Sequence, residues 1–283
     1  MLATAFGGRQ AARRNLRPGS AYDLDVTEGS MRRHCLLGLV AAGGLAFPAT
    51  GQTVDELIAK NIAARGGLAK LRAVTSLRMS GRMTMGPGVE APILLELKRP
   101  SSVRMEFTFR GRTGVHAYDG HDGWVLDPFG PKAEAAPMSA EDLNDAREQA
   151  DIEGPLVDYK AKGHSVQLVG KEQVNGKDAY KLKLTLKNGD VRYTYLDATS
   201  YLEVRIESTR SVRGETLDVE TMIGDYRDVG GVMFPHSFES GPRGRPEKQN
   251  VDVDKIEVNP AIADARFKIP APAAPATPAE PAR

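Results

Sequence analysis

Apolar and polar side chains alternate strictly over several stretches of the chain. Leu77, Met79, Met83 and Met85 interleave with Arg78, Ser80, Arg82 and Thr84, and Val103, Met105, Phe107 and Phe109 with Arg104, Glu106, Thr108 and Arg110. Tyr180, Leu182, Leu184 and Leu186, then Leu202, Val204 and Ile206, then Val251 and Val253, repeat the pattern. A period of two means strands with one apolar and one wet face, which is antiparallel sheet. Turn signals fall between these runs at hairpin spacing: Gly86-Pro87-Gly88, Asp119-Gly120, Asn175-Gly176, Asn188-Gly189 and Gly230-Gly231. The pattern predicts ten or eleven strands.

Two stretches depart from this period. Thr53 followed by Glu56 is a capping box, Val54, Leu57, Ile58 and Ile62 form a helical stripe, and Gly66-Gly67 ends it. Ser139 opens a second region, Ser139–Lys160, rich in Glu, Asp and Ala, which predicts one or two helices inserted between two halves of the sheet. The fold class is therefore mainly β, with an N-terminal helix and an inserted helical segment. So few helices cannot cover the apolar face of so large a sheet. Either the sheet closes into a barrel or it curls into an open half-barrel with helices as a lid. Both enclose an apolar cavity suited to a greasy ligand.

The strand phases nominate the cavity lining: Leu77, Met79, Met83, Met85, Ile93, Leu95, Leu97, Met105, Phe107 and Phe109. The methionines suit a surface that must adapt to varied acyl chains, or serve as ordinary core filling. Arg99 breaks the pattern. It follows Ile93, Leu95 and Leu97 in phase, so it points to the apolar side just before Pro100. There it needs acceptors such as the carbonyls of a covering helix, unless it snorkels to solvent.

The ends read differently. Met31-Arg32-Arg33-His34, the apolar stretch Cys35–Phe47 and Ala49-Thr50-Gly51 form a signal peptide over 31–51, with residues 1–30 an upstream extension. Such a leader implies export of the mature chain. From Pro270 to Arg283 the chain holds five Pro and six Ala, a disordered tail. The folded domain is then 52–269.

Composition narrows the function further. The 283 residues carry 38 Lys+Arg against 37 Asp+Glu, a net charge of +1, which gives no footprint for nucleic acid. One cysteine excludes a disulfide framework and any Cys-based zinc site. No apolar run reaches membrane-spanning length in the mature chain. His116, His121, His164 and His236 have no metal-ligand spacing, and Asp119–Gly123 reads as a hairpin turn rather than a calcium loop. No nucleophile elbow, phosphate loop or dinucleotide fingerprint occurs. The sequence gives no catalytic residue, metal or cofactor.

Lys98-Arg99-Pro100, an alternating strand, Tyr118-Asp119-Gly120, Trp124 and Asp127-Pro128-Phe129, together with Tyr226–Pro235, resemble the LolA/LolB-like superfamily of outer-membrane lipoprotein-sorting proteins. The resemblance spreads over most of residues 53–268. It implies an unclosed barrel of about eleven strands around a helical lid, which by position is Ser139–Lys160. It also implies a cavity for acyl chains of lipoproteins or lipids, exchanged with membrane partners, and gives Arg99 the role of latching the lid. An envelope sensor or interaction protein on the same fold is the alternative, and an enzyme on a lipid-like substrate a third.

Overall fold

A computed structural model describes residues 52–86, 88–130, 134–212 and 215–270. The expected upstream extension, signal peptide and the tail beyond Pro270 lie outside the described residues. Two helices open the fold, α1 (Val54–Ala64) and α2 (Leu68–Ala73). The capping box of α1 is formed: Glu56 N–H donates to Thr53 Oγ1 (3.2 Å), and Thr53 N–H donates to Glu56 Oε2 (2.8 Å). Gly66 and Gly67, at φ of 110° and 91°, turn the chain out of α1.

Five strands then run up one half of the sheet: β1 (Ser76–Gly86), β2 (Val89–Lys98), β3 (Ser102–Phe109), β4 (Arg112–Tyr118) and β5 (Gly123–Leu126), with β6 (Ala135–Pro137) at its edge. The inserted helix α3 (Ala140–Gln149) follows, its N-terminus capped by Ser139, whose Oγ accepts from Asp142 N–H. Seven more strands form the other half: β7 (Ser165–Val174), β8 (Lys177–Thr185), β9 (Val191–Asp197), β10 (Glu203–Val212), β11 (Glu215–Val229), β12 (Val232–Pro242) and β13 (Gln249–Val258). The order is β6-β5-β4-β3-β2-β1-β13-β12-β11-β10-β9-β8-β7, every pairing antiparallel, with β6 and β7 as open edges. The architecture is a single curled, unclosed sheet of thirteen strands among the described residues. The count exceeds the expected eleven because β5 and β6, four and three residues long, are too short to display alternation.

The two halves meet at one seam, where β1 pairs with β13. A bulge between Ser80 and Gly81 brings the strands so close that a Cβ on Gly81 would stand 2.1 Å from the Asp252 carbonyl oxygen. Glycine is the residue that fits there.

Register separates the faces cleanly. One ladder runs Arg78–Glu96–Arg104–Ala117–Trp124 and the next Met79–Leu95–Met105–His116. The second faces inward, and its apolar members are buried together with Ala146, Ala150, Ile152 and Val157 from α3 and the turns after it. Leu57 and Ile58 of α1 cover Leu182 and Leu196 of the other half. The first ladder faces outward, where Glu96 bonds Arg78 and Arg266. The C-terminal segment crosses this outer side. Lys98 donates to Ile262 O (2.8 Å), Trp124 Nε1 to Phe267 O (2.8 Å), and Phe267 is buried.

One expectation needs correction. Leu202, Val204 and Ile206 do not share a face, because a bulge between Glu203 and Arg205 shifts the phase. Val204 packs outside with Tyr195 and Met222, while Ile206 packs inside. The inserted segment is one helix followed by turns, in keeping with the expected one or two helices; Gly154 and Asp158 take positive φ of 83° and 52° beyond it.

Candidate functional site

The concave face and its roof form the site. Among the residues nominated for its lining, Leu77, Met79, Met83, Ile93, Leu95, Leu97 and Met105 are buried. Phe107 is partly buried, its ring lying against Gly114, where a Cβ would stand 2.3 Å from it. Phe109 is partly exposed and meets Phe129 edge to face at 5.9 Å. The side chain of Met85 lies outside the described part. Most of these side chains are filled in by the roof. Ala146 and Ala150 of α3, with Ile152 and Val157 beyond it, occupy the concavity.

Among the described residues, a gap of about 90 Å³ lies beneath the roof toward the other half, its apolar lining including Met79, Ile206, Ile223, Tyr226, Phe234 and Phe238. That is well below the several hundred Å³ of a lipid-sized pocket. Only Met79 of the nominated lining reaches it; its other walls come from β9 to β12, from Arg65 at the end of α1, and from the end of α3 with the turn after it. The Ile206 phase is hidden by the bulge, and Phe234 and Phe238 fall outside the alternating runs read from the sequence. Burial, with Glu203 nearby, pushes the Tyr226 hydroxyl far above the usual phenol range, and it donates to Glu203 O (2.9 Å).

The roof is tied down by charge. Arg99, placed just past β2 by the run of inward residues before it, donates through Nε to Val74 O (2.7 Å) and through Nη2 to Leu71 O (3.3 Å), at the C-terminal end of α2. The same guanidinium meets Glu153 of the roof, Nη2 to Oε1 at 2.9 Å and Nη1 to Oε2 at 3.3 Å. Arg65, at the end of α1, donates to Glu153 O (2.7 Å). Glu153 is thereby held by both its side chain and its backbone. On the far side Arg192 of β9 pairs with Glu148, and Lys162 with Asp151 (2.6 Å) and Gly154 O (2.9 Å). Periodicity could not find these partners, because Arg192 and Lys162 sit at a strand start and in a turn.

His116 is on the inward ladder, facing α3. Its burial lowers its pKa, partly offset by the charges of Asp142 and Asp127. Trp124, part of the signature residues, faces outward and does not line the site. Among the described residues no three His, Cys, Asp or Glu side chains converge to hold a metal, and no helix is long and apolar enough to cross a membrane.

No protein-family model matches the chain, and no curated protein matches it. Solved structures do. A LolA superfamily protein from Nitrosomonas europaea is 15% identical, covers 77% of this chain and 98% of its own, and superposes with a TM-score of 0.50. A DUF1329 family protein from Desulfovibrio piger is 12% identical over 76% of this chain and 97% of its own, TM-score 0.55. A protein domain from Vibrio parahaemolyticus, described as outer membrane lipoprotein-sorting, is 12% identical over 76% and 95%, TM-score 0.51.

Proposed function

We propose that this chain, with its LolA-like fold, is a periplasmic carrier of acyl chains from lipoproteins or lipids. Residues 31–51 act as its signal peptide and 52–269 as the carrier domain. The observation that carries this reading is a roof held over an apolar concavity by ion pairs and side-chain hydrogen bonds, not by strand pairing. Such a roof can lift as a unit.

Energetics support the exchange. The α3 segment is polar, and with the turn after it inserts Leu143, Ala146, Ala150, Ile152 and Val157 into the interior. Each large aliphatic side chain contributes about 1.5–3 kcal/mol on burial. The three in this set then hold the roof with roughly 5–9 kcal/mol, and each buried methylene of a ligand returns about 0.8. Roughly six to eleven methylenes therefore balance the roof, on the scale of one medium-length acyl chain. Closed and loaded states of similar free energy are what a carrier that must also release requires.

Purified protein extracted and analysed by lipid mass spectrometry tests this. Co-purifying acylated molecules, or capture of an added fluorescent fatty acid, are expected. Protein that is empty and also leaves the fluorescent probe unshielded sinks the reading.

A further inference from the structure

Beside the C-terminal turn of α3 the roof and the sheet leave a second recess, of about 500 Å³. Its walls carry four cations, Arg147, Lys162, Lys187 and Arg192, against two carboxylates, Glu148 and Asp151. Arg147 and Lys187 stand exposed at the rim, while Arg192 and Lys162 are set deeper and already paired with the roof's carboxylates. Arg147 donates only weakly to the neutral Asn144 Oδ1, at 3.4 Å. His164 also lines the recess. Its Nδ1 accepts the Lys187 backbone N–H (3.0 Å), so the neutral ring keeps its proton on Nε2 as a donor. Partial burial and then the Lys162 charge hold the His164 pKa down, so it stays neutral.

The recess adjoins the apolar interior. Glu148, Asp151, Pro155 and Arg192 line both spaces, so the Arg192–Glu148 pair is the partition between them. A net positive mouth opening beside an apolar gap has the chemistry of an amphiphile with an anionic head.

We propose that this recess receives the phosphate of an acylated ligand whose chains occupy the interior, and that the phosphate unlatches this end of the roof. The proposal rests on the carrier reading above and names its cargo class. A phosphate oxygen can replace Glu148 on Arg192 and Asp151 on Lys162, so both cations stay satisfied. The displaced carboxylates swing to solvent with α3. Arg147 and Lys187 supply the charge excess that favours the exchange, and the partition opens as the chains enter.

Calorimetry on the full chain tests this with three probes: dioctanoyl phosphatidylglycerol, dioctanoylglycerol with the same chains and no phosphate, and inorganic phosphate. The phosphate-bearing lipid is expected to bind about tenfold tighter than the neutral one. In the Arg147→Ala/Lys187→Ala protein that ratio should fall to about one. Hydrogen exchange over residues 146–152 should accelerate with the phosphatidylglycerol. Equal affinity for the two lipids in the unmodified protein overturns the headgroup site and leaves the carrier reading standing. Inorganic phosphate binding as tightly as the lipid assigns the recess to a free oxyanion and overturns the proposal. No binding of either lipid overturns both readings.

Discussion

Arg99 and Glu153 meet with a guanidinium nitrogen 2.9 Å from a carboxylate oxygen, although 54 residues separate them in sequence. Glu153 is nearly buried, and the same arginine caps the carbonyls of Leu71 and Val74. One planar fork therefore joins three parts of the fold: the end of β2, the end of α2 and the roof. Lysine cannot reproduce this, since a single ammonium lacks the divergent donors.

Arg99→Leu should release the roof. It removes the fork and leaves a nearly buried carboxylate without its partner, at a cost of about 2 kcal/mol after allowance for partial solvent access. Amide exchange over residues 150–157 should quicken by roughly thirtyfold. On the proposed carrier reading, losing this fork favours a loaded state, and Arg99→Leu protein should purify with more lipid than the parent. Equal exchange rates and equal lipid content would remove Arg99 from the mechanism.

The seam offers a separate test of the architecture. Gly81→Ala places a methyl against the Asp252 carbonyl, a backbone atom that cannot rotate away. Strands β1 and β13 must part at the one pairing that joins the two halves. Overpacking of this kind costs about 2–3 kcal/mol, or roughly 5–10 °C in a domain of this size. A melting temperature within a degree of the parent would show that the seam relaxes.

Much of this was legible in the chain, for physical reasons that also mark where legibility stops. Alternation is a property of pleated strands, so β1, β3 and β8 and their inward faces could be read directly. Arg99 could be read because it continues a phase in a place where a charge needs acceptors. Ile206 and Val204 could not, because a bulge inverts the phase without any glycine or proline to mark it. Arg192, Lys162 and Glu153 were hidden because ion pairs between distant segments leave no periodic trace. The outward docking of Ile262 and Phe267 was hidden likewise, since two apolar residues in an irregular segment carry no direction.

Stability should fall between pH 7 and pH 5. Burial lowers the His116 pKa below its ordinary 6.5, and that of His164 as well. The unfolded chain then binds more protons than the native one below pH 6.5, so the native state is fully favoured above that value. It loses free energy as the pH drops through 6.5 toward the lowered native values. For His116 the loss by pH 5 is at most about 2 kcal/mol. Urea midpoints measured across this range should slope downward, and His116→Gln should flatten part of the slope. An unchanged slope in that variant would exclude His116 as a source.

The single tryptophan should report on the outer face and not on the cargo. Trp124 lies on the ladder that faces away from Met105, and its Nε1 donates to Phe267 O, so its surroundings are set by the C-terminal segment. Phe267 is 1% exposed, and Phe267→Ala should cost about 3–4 kcal/mol through the cavity it leaves. It should also loosen the segment that covers Trp124 and move its emission to the red. Arg266 would be freed at the same time from Glu96, leaving that buried carboxylate to Arg78 alone. On the proposed carrier reading, cargo entering beneath the roof would meet none of these groups. Lipid added to the parent protein should therefore bind by calorimetry while the emission maximum stays in place. A red or blue shift on lipid binding, with Phe267 intact, would place the ligand on the outer side of the sheet and not in the concavity.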